Sequence, residues 1–375
     1  MCVRVLHVVG SMDRGGAETL IMNLYRKMDR EKIQFDFAVH SPKAGDYDDE
    51  IKGLGGKIYA MPHYGGVNHF PYRKAWERFF QGHPEYSIIH GHIRSTAAIY
   101  LRIARKYGFM TIAHSHGTSS RGSLPERIAK SILQYPIRHT ADYFFACSEK
   151  AGRWLFGKKA CQSRRFFVLN NAIDSSKFVF SEETRRRKRE ELGVGQQFVV
   201  GHVGNFDPVK NHAFLIDVLE CACRKERSCT LLLAGSGNNA LQRNIKEKVR
   251  RMGLESNVRF LGKRTDIDEL LNAFDVFVFP SLHEGLGIVA LEAQANGLQC
   301  VLSDTLPPEV AVTDNIAFVS LKKPAGYWAD LILSYKNNYI RTNMQECIAN
   351  AGYDINNVAE WLSAFYLDLQ DKAGK

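Results

Sequence analysis

The chain has 375 residues, which is long for a single hydrophobic core and sufficient for two domains. Its content of 45% hydrophobic and 24% charged residues is ordinary for a soluble globular protein. No apolar run approaches the roughly 20 residues that a membrane-spanning helix requires, which excludes an integral helical membrane protein.

The formal net charge of +10 is unevenly distributed. Residues 1–175 carry 26 Lys and Arg against 15 Asp and Glu, whereas residues 176–375 carry 24 against 25. Charge of this kind bears on partners rather than on the fold, so an anionic membrane surface or a phosphate-bearing acceptor is expected. A merely solvated basic surface is the alternative. Nucleic acid is not expected as a partner, because the sequence has no recognisable nucleic-acid-binding module.

The N-terminal stretch "MCVRVLHVVGSMDRGG" predicts a buried first strand followed by a loop. It lacks the small-residue cleavage site of a signal peptide. The eight cysteines also lack the paired spacing of zinc ligands, which favours free thiols in a reducing compartment. We therefore expect a cytoplasmic protein that can be peripheral at the inner face of the cell membrane.

The first half alternates short apolar runs with amphipathic stretches. After the first strand, "GGAETLIMNLYRKM" predicts a helix. Further strands are predicted at "FDFAVHS" (35–41), "SIIHGH" (87–92), "TIAHSH" (111–116), "DYFFACS" (142–148) and "FFVLNNAID" (166–174). This alternation indicates a parallel sheet with helices on both faces.

The same pattern restarts after the charged stretch "SEETRRRKREE" at 181–191. Strands are predicted at 197–203, "CTLLLAG" (229–235), "VRFLG" (258–262), "VFVFPS" (276–281) and "QCVLSD" (299–304). We therefore expect two doubly wound α/β domains, 1–175 and 176–355, with a helix at 356–375 returning to the first. Ligands of such sheets bind beyond the carboxyl ends of the strands, so loops of two facing domains would line a cleft.

Three glycine-containing loops follow predicted strands and precede predicted helices. They contain Gly15 and Gly16, then Gly204 and Lys210, and then Gly285 and Gly287. Glycines allow a ligand to approach the backbone closely, and helix N-termini favour anions. None of the loops is a Walker A sequence, and the first is not a strict G-x-G-x-x-G, so a dinucleotide dehydrogenase is disfavoured.

Lys210, Glu284 and Glu292 are the charged residues best placed for chemistry. Lys210 follows a strand, a glycine and a proline where a helix should begin; a solvated helix-start lysine is the alternative. Glu284 lies in the loop after a strand, and Glu292 lies inside the next helix. A carboxylate accepts hydrogen bonds from adjacent hydroxyls well, which suits sugars and ribose. The alternative for Glu292 is a helix acid with an exposed partner, although its apolar neighbours disfavour it.

Glu284 and Glu292, with seven residues between them after a strand, resemble the signature of retaining glycosyltransferases of family 4, which have the GT-B fold. The resemblance covers nearly the whole chain, and "AHSH" is most similar to bacterial capsule and exopolysaccharide transferases. The other matching motifs are "GGAE" (15–18), "NNAID" (170–174), "GNFDPVKN" (204–211), "LLLAGSG" (231–237), "VRFLGKRTDIDELL" (258–271) and "EAQANGLQCVLSD" (292–304).

The resemblance implies a role for each matching position. Glu292 would hold the ribose of a nucleotide sugar, Glu284 would contact the transferred sugar, and Lys210 would neutralise the β-phosphate. His114 would lie beside the donor sugar, with His116 as a competing choice. The remaining donor-site positions are Gly15 and Gly16 at the phosphates or acceptor, Leu261 and Gly262 at the base, and Gly285, Leu286, Gly287 and Ile288 as backbone donors.

The sequence departs from the family pattern at Asn205, where the family usually has arginine. Asn205 can donate a hydrogen bond but carries no charge, so the diphosphate loses a cation. Arg264, Lys263 or Arg14 could supply it; otherwise catalysis is slower, or the protein is not a transferase.

The resemblance implies transfer from a UDP-sugar to a lipid-linked or polysaccharide acceptor, with retention of the anomeric configuration. No metal or cofactor is expected, because no loop carries an Asp-x-Asp pair. The alternatives are a non-catalytic nucleotide-sugar or carbohydrate binding protein and a nucleotide-sugar epimerase of the same fold.

Overall fold

The computed structural model describes residues 2–117, 124–336 and 339–373. The chain divides into two compact units, Met1–Ala172 together with Ile355–Lys375, and Ile173–Asp354. We refer to them as unit 1 and unit 2. The expected boundary at 175/176 lies within a few residues of this division, and the expected C-terminal helix is counted with unit 1.

Unit 1 contains a parallel sheet covered by helices. Its described strands are β1 Val3–Val9, β2 Ile33–Val39, β3 Ile58–Ala60, β4 Ile88–Gly91, β5 Met110–Ser115, β6 Tyr143–Ala146 and β7 Phe166–Val168. Its helices are α1 Gly16–Lys27, α2 Asp48–Gly53, α3 His69–Gly82, α4 Arg94–Lys106, α5 Leu124–Gln134, α6 Glu149–Cys161 and, after unit 2, α14 Ile355–Ala373. The strand order is β3-β2-β1-β4-β5-β6-β7.

Unit 2 repeats this architecture. Its described strands are β8 Phe198–Val203, β9 Cys229–Ala234, β10 Val258–Gly262, β11 Val276–Phe279, β12 Gln299–Ser303 and β13 Ile316–Val319, in the order β10-β9-β8-β11-β12-β13. Its helices are α7 Glu182–Glu191, α8 His212–Lys225, α9 Asn239–Arg251, α10 Ile267–Ala273, α11 Ile288–Ala295, α12 Ala325–Ser334 and α13 Gln345–Asn350. The predicted fold class of two doubly wound parallel sheets is confirmed.

Each sheet has an apolar core on both faces, which explains why its central strands read as unbroken apolar runs. In unit 1, α14 closes one of these cores. Its buried residues recur at spacings of four and three, which is the stripe of an amphipathic helix. These residues are Ile355, Ala359, Leu362, Tyr366 and Leu369.

Two edge strands, β3 and β13, were not among the predicted strands. β3 is three residues long and pairs with β2, and β13 pairs with β12; neither has a second neighbour among the described strands. Edge strands lie at the border of the core, so their apolar signal is weaker. Both lie at the margins of their sheets, away from the central strands β1, β4, β8 and β11.

The charged stretch at 181–191 forms helix α7 within unit 2. Ser181 caps it, accepting a hydrogen bond from the backbone N–H of Thr184 at 3.2 Å. Lys188 is buried despite its charge, because its ammonium group contacts the carboxylates of Asp266 and Glu269 at 2.6 and 2.8 Å. Within the described residues, no helix combines the length and the apolar character needed to cross a bilayer.

Candidate functional site

Strands β8 and β11 are neighbours in the sheet of unit 2, although two strands separate them in sequence. The strand order reverses at this point, and the loops leaving the two strands diverge there. In open parallel sheets such a switch point is the usual ligand crevice. The loop after β8 carries Lys210, and the loop after β11 carries Glu284. The topology thus brings together two charged residues that are 74 positions apart.

Lys210 and Glu284 form an ion pair at the switch point of unit 2. The Lys210 ammonium lies 2.6 Å from the Oε1 atom of Glu284 and 4.5 Å from the centre of the Phe279 ring. Both side chains are largely enclosed, with exposures of 20% and 13%. A charge pair screened from water in this way interacts more strongly than one on an open surface. Lys210 is therefore a paired, partly enclosed cation rather than a solvated helix-start lysine.

The backbone around Lys210 is held by local hydrogen bonds. The Asp207 carboxylate accepts from the N–H of Val209 at 2.9 Å, and Asn211 takes a left-handed conformation with φ of 56° before α8 begins. The N–H of Leu282 donates to the carbonyl of Val209 at 2.7 Å. This last bond ties the loop after β8 to the loop after β11, so the ion pair lies between two loops joined through their backbones.

Two buried histidines line the back of the Lys210 loop. The Nδ1–H group of His202 donates to the Val278 carbonyl, 2.9 Å away, and the His212 ring stacks on Phe206 at 4.4 Å. Burial lowers the pKa of His212 to about 4 and that of His202 well below its ordinary value. Both rings are therefore neutral and leave Lys210 as the cation of this loop.

Helix α11 begins directly after the Glu284 loop. Gly287, at its N-terminal boundary, has φ of 85°, a conformation that favours glycine. A Cβ atom there would also lie 3.3 Å from the Phe279 ring. The first N–H groups of a helix carry partial positive charge and attract anions. Of the predicted backbone donors, Ile288 is the first residue of α11 and Gly287 precedes it, whereas Gly285 and the buried Leu286 lie in the loop before them.

Glu292 lies one turn inside α11 and is partly buried. Its carboxyl group has no hydrogen-bond or ion-pair partner among the residues that the structure describes, so it is not a helix acid with an exposed partner. Burial raises the pKa of Glu292 to about 7, with a smaller contribution from the charge of Asp268. An unpaired acid of this kind is costly to bury and suits a ligand that supplies hydroxyl donors.

Leu261 and Gly262 are the last two residues of β10, which is the edge strand next to β9 in the sheet of unit 2. The pairing of β10 with β9 shifts between Phe260 and Gly262, which leaves Leu261 as the bulged residue. The Gly262 carbonyl accepts a hydrogen bond from the N–H of Gly235 at 2.8 Å. Leu261 is partly buried against an apolar core of unit 2, and its contact with a base stays a prediction.

Arg264, a predicted cation for the diphosphate, is bound to two acids in the ligand-free protein. Its guanidinium makes two bonds to the Asp266 carboxylate, at 2.8 and 2.5 Å, and a third to Glu191 at 3.2 Å. Moving it to a phosphate would break all three contacts. The charge of Arg264 is thus already matched by two acids in the ligand-free protein, and its role beside the diphosphate stays a prediction.

The side-chain oxygen of Asn205 accepts a long hydrogen bond from the backbone N–H of Ser236 at 3.4 Å, and its backbone carbonyl accepts from the N–H of Asp207 at 2.7 Å. It holds the turn after β9 and adds no positive charge. Arg14, in unit 1, lies over the Tyr47 ring at 5.4 Å, and Lys263 has an interaction of its own. Lys210 and the α11 N-terminus are thus the positive groups that the switch point of unit 2 brings together.

Gly15 and Gly16 lie after β1 at the carboxyl edge of the sheet in unit 1. Gly15 precedes the first turn of α1, and Gly16 is its first residue. A Cβ atom on Gly15 would meet the Glu18 carboxylate at 2.3 Å. The end of the flexible Glu18 side chain could move away, so this contact does not by itself require glycine, and the predicted contact with phosphate or acceptor stays a prediction.

His114 belongs to a cluster of histidines at the carboxyl ends of β1, β4 and β5. The cluster comprises His7, His90, His92, His114 and His116, and we call it the histidine cluster. His114 and His116 stack with ring centres 3.9 Å apart. The two competing candidates from the sequence therefore lie side by side, on the same side of β5 as expected.

Ring nitrogens connect the cluster in two chains. In one, Tyr366 of α14 contacts His90 Nδ1 at 2.7 Å, and His90 Nε2 contacts His114 Nδ1 at 3.2 Å. In the other, His92 bridges His7 at 3.0 Å and His116 at 2.7 Å. Burial lowers the pKa of His7 and His116 to about 3 and holds the other three well below the ordinary value.

Sequence reasoning missed His7, His90, His92 and Tyr366. The signal was present in "HGH" and "HSH", which end consecutive strands with the same alternation. A period of two places such side chains on one face, and parallel neighbours then stack them. The pairing of β4 with β5 and the return of α14 were not readable from one sequence, so the partners could not be named.

Solved structures with this architecture are GT-B glycosyltransferases. HepE of Anabaena, in complex with UDP and glucose, matches 97% of this chain and 99% of its own with a TM-score of 0.79 and 20% identity. At this identity the likeness shows the fold. The two sheets therefore have the GT-B fold.

Sequence comparison narrows the class. The protein-family model described as "Glycosyltransferase Family 4" matches residues 14–177. The family model described as "Glycosyl transferases group 1" matches residues 197–335. EpsF of Bacillus subtilis, which is named as a glycosyltransferase, is 36% identical over 98% of this chain and 97% of its own. CapH of Staphylococcus aureus, a capsular polysaccharide biosynthesis glycosyltransferase, is 25% identical over 78% of each. The chain belongs to glycosyltransferase family 4.

The raised pKa of Glu292 predicts a pH-dependent stability difference between the parent protein and the Glu292→Gln variant. Because the folded-state pKa lies near 7 and the unfolded value near 4.5, the folded parent binds this proton more tightly. Its stabilising contribution is complete below about pH 4.5 and is lost as pH rises to about 7. The melting temperature of Glu292→Gln should therefore rise relative to that of the parent as the pH increases from about 4.5 to about 7. At higher pH the difference between the two should stay constant.

The control for this experiment is Glu255→Gln, which removes an exposed acid from the same unit. Its difference from the parent should not follow the same pH window. A Glu292→Gln difference that stays constant from pH 4.5 to 7.5 would contradict the assignment of an unpaired buried carboxyl.

Proposed function

We propose that this protein is a retaining glycosyltransferase. It transfers a hexosyl or N-acetylhexosaminyl group from a UDP-sugar to a lipid-linked or polysaccharide acceptor in exopolysaccharide or capsule synthesis. The observation that carries the proposal is the Lys210–Glu284 pair beside the N-terminus of α11 at the switch point of unit 2. The name of CapH, a capsular polysaccharide biosynthesis glycosyltransferase, supports the pathway, EpsF supports the transferase activity, and HepE, solved with UDP and glucose, supports the donor class.

In the proposed donor complex, the diphosphate lies against the first turn of α11 and the Lys210 ammonium. Glu284 accepts hydrogen bonds from the transferred sugar, and Glu292 accepts them from the ribose. The unpaired carboxyl of Glu292 supports this last role, because two ribose hydroxyls would supply the donors that it lacks. The role of His114 beside the donor sugar stays a prediction from the sequence.

In the proposed mechanism, the acceptor attacks from the face that the diphosphate leaves. The bond from the anomeric carbon to the phosphate oxygen breaks, the bond to the acceptor oxygen forms, and the departing phosphate takes the acceptor proton. No carboxylate nucleophile is required. Charge builds on the phosphate as the bond breaks, so preorganised positive groups lower the barrier. The transfer as proposed uses no metal or cofactor.

The donor must compete with the Lys210–Glu284 ion pair for both of these side chains. Before the donor binds, Glu284 neutralises Lys210 at 2.6 Å. The diphosphate and the sugar together offer each residue a new partner, an anion for the ammonium and hydroxyls for the carboxylate. A donor that lacks the sugar satisfies only the lysine. The pair therefore favours the intact nucleotide sugar over the free diphosphate.

Lys210→Ala should lower turnover by about 10²–10³-fold, because one preorganised group that stabilises the leaving diphosphate is lost. The assay follows UDP release from a panel of UDP-sugars, with and without a lipid-linked oligosaccharide, and NMR of the product reports its anomeric configuration. The matched control is Lys225→Ala, which removes an exposed lysine at the other end of α8. Turnover of Lys210→Ala equal to that of the control would remove Lys210 from the mechanism.

Glu284→Gln should separate donor binding from transfer. Removing the charge releases Lys210 to the diphosphate, so KM for the donor should stay level or fall. The weaker bond to the sugar should lower kcat by about 10-fold, which corresponds to about 1.4 kcal/mol. A rise in KM with kcat unchanged would show instead that Glu284 only assists ground-state binding.

A second candidate function is favoured by Asn205, which supplies no cation where the family has arginine. On this alternative the protein binds nucleotide sugars without transferring them. Isothermal titration with UDP-sugars distinguishes the two functions. Binding of a donor without UDP release under any acceptor would favour the binding protein, whereas release that depends on an acceptor supports the transferase.

The lipid-linked acceptor is supported by the surface of unit 1, where exposed apolar residues lie among basic ones. Val67 and Phe70 are 99% and 81% exposed at the start of α3, and Ile132 on α5 is 68% exposed. Both helices contact α4. A shallow depression of about 370 Å³ beside Phe70 is bordered by Lys74 and Arg78. Apolar side chains inserted among lipids, with basic ones at anionic headgroups, would hold the protein on a membrane.

A Phe70→Asp, Ile132→Asp double variant should lose binding to liposomes that contain anionic lipid, because each change puts a charge where an apolar group meets lipid. Flotation against a salt series measures the binding, and liposomes of neutral lipid provide the comparison. Ile340→Asp is the control, since Ile340 is 85% exposed in unit 2. Binding of the parent protein to liposomes that depends neither on salt nor on anionic lipid would contradict membrane docking.

A further inference from the structure

We propose that His92, His114 and His116 form a binding site for a zinc-like divalent cation at the carboxyl edge of the sheet in unit 1. One nitrogen from each ring is available, and the three atoms lie within 4.8 Å of one another. Occupation of this site would block the donor-sugar contact of His114. Cation binding stands on the geometry alone, whereas the inhibition rests on the proposed function.

The spacing of the ring nitrogens suits a tetrahedral ion. Imidazole nitrogens bind zinc at about 2.0–2.1 Å, which places neighbouring ligand atoms about 3.3 Å apart. His92 Nδ1 and His116 Nε2 are already 2.7 Å apart, so a small opening of this pair would admit the ion. His92 and His116 are partly exposed, which gives a path from solvent and leaves a position for water.

The buried nitrogens of the cluster support a ligand at this place. His114 is 2% exposed, and its Nε2 atom has no hydrogen-bond partner. Nδ1 of His116 is likewise buried and unpartnered. Burying a polar nitrogen without a partner is unfavourable. Coordination of a cation by His114 Nε2 would satisfy the most enclosed of these atoms.

The outer hydrogen bonds orient two of the three ligands for coordination. If His114 carries its proton on Nδ1, it donates to His90 Nε2 at 3.2 Å, and His90 Nδ1 then donates to the Tyr366 oxygen at 2.7 Å. His92 can donate from Nε2 to His7 Nδ1 at 3.0 Å in the same manner. This arrangement leaves His114 Nε2 and His92 Nδ1 with lone pairs. Metal-binding histidines commonly donate their second N–H to such partners.

One charged neighbour limits the strength of the site. Arg94 donates to the carbonyl of Gly117, the residue after His116, at 3.3 Å, and its positive charge opposes a dication there. The site is therefore expected to bind zinc reversibly rather than to hold it as a structural centre.

The test uses the full chain without donor or acceptor, so that it does not depend on transferase activity. After treatment with chelator, the protein is titrated with zinc against a chromophoric chelator and, separately, with cobalt while the visible spectrum is recorded. One equivalent of zinc should bind, and His92→Asn and His116→Asn should each weaken binding by at least about 10-fold. His83→Asn, outside the cluster, should bind zinc as the parent does.

Far-UV circular dichroism establishes that each variant is folded; His116→Asn, at a partly exposed position just beyond β5, serves if His92→Asn does not fold. The proposal fails if the parent takes up no zinc at tens of micromolar, or if both cluster variants bind it as the control does. In assays of the active enzyme, zinc should compete with the donor in the parent. Zinc binding without inhibition would keep the site and detach it from the donor position.

Discussion

The contact between Lys210 and Glu284 is the interaction on which the organisation of unit 2 as a functional site depends. It exists because a parallel sheet directs β8 and β11 to the same edge, where the strand order reverses. The backbone bond from Leu282 to Val209 fixes the separation of the two loops. A cation and an acid held in this way meet a phosphate and a sugar at neighbouring positions. The same two loops place the N-terminus of α11 beside them.

Unit 1 uses the same topological position for a different chemistry. Its strand order reverses between β1 and β4, and the side chains gathered there are neutral histidines instead of a charge pair. Neutral rings stack on one another and form single hydrogen bonds. The outermost hydrogen-bond partner therefore decides which nitrogen of each ring donates. Tyr366 supplies that support from α14, a helix that follows the whole of unit 2 in sequence. The return of the chain to unit 1 thus contributes directly to the orientation of His114.

Much of this architecture could be predicted from the sequence. Apolar runs separated by helical patterns gave the central strands of both sheets, because strands buried on both faces carry a strong signal. The loops with Lys210, Glu284 and Gly287 were found for the same reason. The pairing of Lys210 with Glu284 was not, because it depends on which strands become neighbours. Arg264 shows the converse case: its motif suggested a cation for the ligand, but Asp266 and Glu191 already bind it.

Glu292 shows why the remaining positions could not be assigned from the chain alone. A helix acid with apolar neighbours is compatible with either a partner elsewhere in the fold or a ligand. The structure supplies no partner among the described residues, and burial raises its pKa to about 7. The carboxyl therefore carries a cost in the ligand-free protein that hydroxyl donors would offset. Lys210 carries no such cost, because Glu284 already neutralises it. The two ends of the proposed site therefore differ. Glu292 has no partner among the described residues before the ligand binds, whereas Lys210 must exchange Glu284 for the phosphate.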